Sequence, residues 1–167
     1  MITLAIDPSG NFSDGKGHTG IAGIKDSDWN SVFTKSINAS DYNSRFEYWN
    51  AIKKVIHDYA IERVPVQVII ESYVVRSNGF TTGKMPETAM LIGVLIYTCE
   101  LNNIPYYMQS PSQAKVRFKD ELLPDYIPNL TVNKANRYYL GTKLTNDHER
   151  DALRHLLYFK RYREYKI

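Results

Sequence analysis

The chain has 167 residues, a length that fits one domain able to bury roughly 70% of its unfolded surface. Hydrophobic residues make up 43% and charged residues 23%, which excludes the disordered and low-complexity classes. The formal net charge of +3 biases the protein mildly toward anionic partners without identifying nucleic acid. The single cysteine, Cys99, lies in an apolar run, so no intrachain disulfide can form and a reducing compartment is favoured. The opening Met1 to Asp7 carries no basic leader. Met90 to Cys99, the longest apolar stretch, is about half of the ~20 residues a bilayer span needs. A soluble, cytoplasmic protein without membrane contact is expected.

Ile2, Leu4 and Ile6 alternate with Thr3, Ala5 and Asp7, which predicts a first strand ending at an acid. A glycine-bearing loop, Pro8 to His18, follows. Thr19 to Lys25 and Ser31 to Ile37 read as two further strands around a polar turn at Asp26-Ser27-Asp28, giving a meander. Ser40 or Asp41 can cap a helix to about Arg63, with Phe46, Trp49, Ile52 and Ile56 at helical spacing. Val66 to Ile70, ending at Glu71, is a nearly continuous apolar run of the kind buried on both faces of a sheet. Pro86 introduces an apolar helix to about Asn102, and Tyr106 to Gln109 is a fifth strand. Ser110 or Ser112 can cap a short basic helix carrying Lys115, Arg117 and Lys119, followed by an irregular stretch with Pro124 and Pro128. A last helix opens at Asn146 or Asp147, carries Ala152, Leu153, Leu156 and Leu157, and runs into a basic tail, Lys160 to Lys166.

Asp7 and Glu71 each end an apolar strand. If those strands are parallel neighbours, both acids leave the same sheet edge, although a solvated strand end explains either one alone. On the last helix, the i,i+3 pair His148 and Asp151 shares a face, as does the i,i+4 pair Asp147 and Asp151. Asp147 and Glu149 taken alone merely complement the helix dipole. Oxygen-rich ligands from separated elements suit magnesium or manganese, and one cysteine argues against zinc.

In these residues the chain resembles the RuvC-type Holliday junction resolvases of the RNase H-like superfamily. Four motifs occur in order: Ile6-Asp7-Pro8 followed by Thr19-Gly20, Val68-Ile69-Ile70-Glu71, Pro111-Ser112-Gln113-Ala114-Lys115, and His148-Glu149-Arg150-Asp151. The resemblance implies one α/β domain over residues 1–167, with a five-stranded mixed sheet of a three-strand antiparallel meander plus two parallel strands, flanked by helices. It implies that Asp7, Glu71, His148 and Asp151 hold two Mg2+ ions, with Mn2+ as a substitute, and that Lys115 joins them in catalysis. Tyr73, Arg76, Lys115 and Lys134 are the implied DNA contacts, although Tyr73 also fits a half-buried tyrosine near a sheet edge. The implied activity is that of a homodimeric crossover junction endodeoxyribonuclease cutting branched DNA in recombination and repair, within a bacterial cell or phage-infected host. The longer loop between Pro8 and Thr19, and the absence of glycine-rich spacing between Asp120 and Asn133, point to a divergent, phage-encoded branch.

Alternatives remain. A nuclease acting on RNA or RNA–DNA hybrid would use the same chemistry. Gly10 to Gly17 nearly matches a P-loop, yet Gly17 stands where that motif needs serine or threonine, so a mobile loop beside the metal site is expected and no nucleotide cofactor. The basic tail and the 13 tyrosines either contact DNA or form a solvated helix end. The apolar helix after Pro86, with Gly93 allowing close backbone approach, is either central core or the dimer contact.

Overall fold

A computed structural model describes residues 1–73 and 87–163. Five strands form one sheet: β1 (Ile2–Asp7), β2 (His18–Lys25), β3 (Asp28–Asn38), β4 (Val66–Glu71) and β5 (Tyr106–Gln109). Their spatial order is β3-β2-β1-β4-β5, antiparallel within the meander and parallel from β1 through β4 to β5. This is the expected mixed sheet. Helices cover both faces, which is why β4 reads as a nearly continuous apolar run and why every residue of β1, alternating in sequence, is buried.

One face holds α1 (Arg45–Ile61) and α2 (Glu87–Leu101). Leu4, Ile6, Ile21, Val68 and Ile70 meet Tyr48, Ile52, Ile56, Leu91, Leu95 and Cys99 there. Each fully buried Ile or Leu stabilises the fold by about 1.5–3 kcal/mol relative to exposure. The start of α1 differs from expectation. Ala39–Asp41 forms a 3-10 turn, and Ser44 is the cap, its hydroxyl accepting from the Glu47 amide at 3.2 Å. Pro86, the expected first residue of α2, lies outside the described residues.

On the other face lies α5 (Asp147–Tyr162), reached through α3 (Pro111–Arg117) and α4 (Leu123–Tyr126). Ala5, Ala22 and Ile69 pack there against Ala152, Leu153, Leu156 and Phe159. The stretch before α5 is not irregular. It folds into a second, three-stranded antiparallel sheet of β6 (Leu130–Val132), β7 (Tyr138–Leu140) and β8 (Lys143–Leu144). Such short strands carry too little periodicity to register in sequence. Lys143 ties this sheet to the main one, donating to the Thr34 carbonyl at 2.7 Å and pairing with Glu149.

Two further expectations change. The Pro8–Gly17 loop is held in place: Glu87 accepts from the amides of Phe12 (2.7 Å) and Ser13 (3.3 Å), Thr88 accepts from the Gly10 amide, and the Tyr48 hydroxyl donates to the Ser9 carbonyl at 2.6 Å. Burial, with the Thr19 hydrogen bond opposing it, pushes the Tyr48 hydroxyl up to about 12, so it stays a donor. The loop leads directly into β2, so the helix N-terminus a P-loop needs to receive phosphate is not there. In the tail, Lys160 is buried and its ammonium donates to the Ser27 hydroxyl at 3.1 Å, which removes it from the solvated surface. Glu164 to Lys166 lie outside the described residues. No helix among the described residues is long and apolar enough to cross a membrane.

Candidate active site

Asp7 and Glu71 are the last residues of neighbouring parallel strands in register at Ile6 and Ile70, so both carboxyls leave the same edge of the sheet. The first turn of α5 faces them. Asn146 caps it by accepting from the Glu149 amide at 2.9 Å, while the Glu149 carboxylate accepts from the Asn146 amide at 3.0 Å. The helix start also presses directly on β2, because a Cβ built at Gly20 would lie 2.0 Å from the His148 carbonyl oxygen. Only glycine permits that approach. It brings His148 Nδ1 to 2.9 Å from Asp7 Oδ2, across 141 positions of sequence.

Asp151, one turn further, pairs with Arg154 and lies 2.8 Å from the Lys115 ammonium. Lys115 is also 3.8 Å from Glu71, so one cation bridges two of the acids. The capping of α3 explains its position: Ser110 is the N-cap, its amide donating to the Gln113 side chain at 3.1 Å, and Lys115 then points back to the sheet edge. Thus Asp7, Glu71, His148, Asp151 and Lys115, proposed from separate motifs, stand together. Their acid side chains are at most 16% exposed, whereas Lys115 and His148 are each 42% exposed. A cleft of about 270 Å³ opens beside them, lined by Pro8, Tyr73, Thr88, Ile92, Pro111 and Lys115.

Burial opposes the charge on Glu71, but the hydrogen bond from His155, with the charge of Lys115, outweighs it and holds its carboxyl below the usual carboxylate range. The hydrogen bond to Asp7 raises His148, against an opposing effect of burial. Among the described residues, no three His, Cys, Asp or Glu side chains are arranged to hold an ion as they stand. Lys115, Arg154, His155 and His148 engage the carboxylate oxygens. The donor set itself, three carboxylates and an imidazole facing cationic partners, fits a hard divalent cation.

The other expected residues fall outside this cluster. Tyr73 is 42% exposed on the cleft wall, and Lys134 is exposed on the turn between β6 and β7. Arg76 lies outside the described residues. Asp147 pairs with Arg150 at the surface, and Glu149 is consumed by the capping box and Lys143. Sequence reasoning missed His155, which is fully buried with Nε2 2.6 Å from Glu71 Oε2. Its signal was present, since residue 155 follows Asp151 by four and His148 by seven on one helical face. It also missed His18, whose ring stacks on His148 with centroids 5.8 Å apart, and Asp120, which pairs with both Arg150 and Arg154.

Sequence comparison matches no protein-family model and no curated protein. Comparison of folds does find similar structures. The sheet order and its flanking helices are those of the RNase H-like fold. Within that class the chain is similar to RuvC of Thermus thermophilus in complex with a Holliday junction substrate, at TM-score 0.64 and 16% identity, covering 97% of this chain and 94% of that one. A second Thermus thermophilus RuvC structure matches at TM-score 0.61 and 16% identity, covering 96% of each chain. The chain has a RuvC-like fold over nearly its whole length.

Proposed function

We propose that the protein is a divalent-cation-dependent endonuclease that resolves four-way and other branched DNA junctions by paired nicks, a crossover junction endodeoxyribonuclease of recombination and repair. The observation that carries this reading is the convergence of Asp7, Glu71, His148 and Asp151, with Lys115 bridging two of them, at one edge of a RuvC-like sheet. Mg2+, with Mn2+ as its substitute, held as two ions among those four residues, would supply an activated water and a charge clamp on the departing oxygen. The chain's own residues supply the rest. A phosphodiester entering beside Lys115 competes with Glu71 and Asp151 for its ammonium, so substrate neutralises Lys115 and releases carboxylate oxygens in the same event. His148 Nδ1 engages Asp7 Oδ2 and so holds that carboxylate in one orientation.

Around the cluster, Tyr73 offers an exposed ring on which an unpaired base can stack. Lys134 and Arg76 serve as further phosphate contacts in the same reading. Each subunit carries one centre, so symmetric cuts need a homodimer matching the two-fold symmetry of a junction. Its support is the outer face of α2, where Tyr97 and Leu101 are 66% and 67% exposed beside an unobstructed Gly93. The whole of 1–167 acts as one nuclease domain in this reading, in the cytoplasm of a bacterial or phage-infected cell.

The test incubates the purified protein with a four-way junction, a linear duplex and an RNA–DNA hybrid, each with magnesium, and follows sedimentation with and without the junction. Paired symmetric nicks on the junction alone by a dimer are expected. A monomer that cuts hybrids equally well overturns the resolvase in favour of a hybrid or RNA nuclease.

A further inference from the structure

Behind the acid cluster lies a polar chain that the proposed chemistry does not use. Gln109 closes β5 directly opposite Glu71 in the parallel register. It is 1% exposed, and its Nε2 lies 2.9 Å from His155 Nδ1 and 3.3 Å from the His155 carbonyl oxygen. The carbonyl can only accept, so the amide nitrogen must face it. The same nitrogen then donates to Nδ1, and a reversed amide would set two oxygens against each other. Among the described residues Gln109 Oε1 is buried without a partner, so the amide is held by its nitrogen side. With Nδ1 accepting, the ring hydrogen sits on Nε2, 2.6 Å from Glu71 Oε2. Both ring nitrogens are thereby committed, and His155 cannot itself ligate an ion.

We infer that Gln109 and His155 form a buried brace that commits Glu71 Oε2 inward and leaves Oε1 alone facing the site, making His155 a positioning residue for a one-oxygen Glu71 ligand; this rests on the nuclease reading above. Oε1 is the oxygen that faces Lys115 at 3.8 Å. The carboxylate torsion is intrinsically broad, so without the brace both oxygens swing between ion pairing and ligation. A hydrogen-bonded partner that orients a ligand typically changes cation affinity about 10- to 100-fold when removed.

The experiment compares wild type, His155→Leu, which keeps the volume without a donor, and His155→Gln, which returns an N–H near the Nε2 position. Manganese binding is measured by calorimetry without DNA, and the magnesium concentration for half-maximal junction cleavage is measured separately. His155→Leu should weaken manganese binding and raise the magnesium requirement by tenfold or more, with junction affinity in chelator unchanged. His155→Gln should recover most of both. If His155→Leu does not fold, Gln109→Met carries the test, because it releases the far side of the ring without touching Glu71, and a smaller shift of the same sign is expected. Unchanged cation affinity in the variant that folds overturns the brace while the nuclease stands. A wild type that takes up manganese and cuts no junction overturns the nuclease alone, and one that takes up no manganese overturns both.

Discussion

The two faces of the central sheet are built from different materials. Toward α1 and α2 the strands present large side chains, Leu4, Ile6, Ile21, Val68 and Ile70, and the helices answer with Ile52, Ile56, Leu91 and Leu95. Toward α5 the same strands present Ala5 and Ala22 between Ile24 and Ile69, with Gly20 at the rim, and the helix comes close enough for its own backbone to touch β2. The first face supplies burial, and the second supplies proximity. Small residues on β1 and β2 let α5 bring His148 and Asp151 to the carboxyls at the strand ends, and the polar side chains that arrive with it are all engaged: Glu149 with Lys143, His155 with Glu71, Arg150 and Arg154 with Asp120.

Substitutions at the acids break that comparison most visibly. Asp7→Asn, Glu71→Gln and Asp151→Asn should each reduce junction cleavage to background in a magnesium assay while leaving binding intact or tighter, since removing negative charge lowers repulsion toward phosphate. Cleavage near wild type in any one removes that residue from the site. On the opposite face, Ile52→Ala should do the reverse. It empties a fully buried site and should cost about 2–5 kcal/mol in denaturant unfolding, with the cleavage rate per folded molecule unchanged.

A pair of glycines sharpens the contrast. Gly20→Ala places a methyl against the His148 carbonyl and should cost about 1–3 kcal/mol while also slowing cleavage, because α5 must retreat from Asp7. Gly93→Ala meets nothing within 4 Å, and an alanine in mid-helix should stabilise α2 by up to about 1 kcal/mol. Thermal melts of the two variants, read beside their cleavage rates, separate close approach from mere packing. Equal melts and equal rates for Gly20→Ala and wild type would mean that the helix tolerates displacement.

The same division governs what could be read in advance. The five strands and the acids ending β1 and β4 were legible because apolar runs and their terminating acids are local signals, whereas the mixed sheet came from the resemblance. The start of α5 was legible to within Asn146 or Asp147, and the capping box of Asn146 with Glu149 fixes it at Asn146. The second sheet was invisible because strands of two and three residues have no period, and their stability comes from contacts such as Lys143 with Thr34 that join residues 109 apart. His155 was overlooked among the leucines of an amphipathic helix. Its role depends on Gln109 and Glu71, which only the parallel register of β4 and β5 brings within its reach. The loop after β1 was expected to move, since glycines are visible in sequence and their anchors on α1 and α2 are not.

Those anchors lie on the apolar side of the sheet and yield the smallest effect. Glu87 is the main one. Burial opposes its charge, but the Phe12 and Ser13 amides, the Ser13 hydroxyl and the Arg45 guanidinium outweigh burial and hold the carboxyl below its ordinary value of 4.5. A lowered folded value means that the loop contact stabilises the protein above the unfolded value and is lost as pH falls through the folded one. Glu87→Gln keeps the shape of the side chain and removes the charge, so it should unfold at lower denaturant than wild type near neutral pH. The difference should shrink toward zero as pH falls through the lowered folded value, where the wild-type carboxyl is protonated too. Cleavage should change little if the loop only lines the cleft. Denaturant midpoints of the two proteins across that pH range check the sign, and a gap that stays constant down to the acid end would place the anchoring in the backbone contacts of Gly10 and Ser9 rather than in the Glu87 charge.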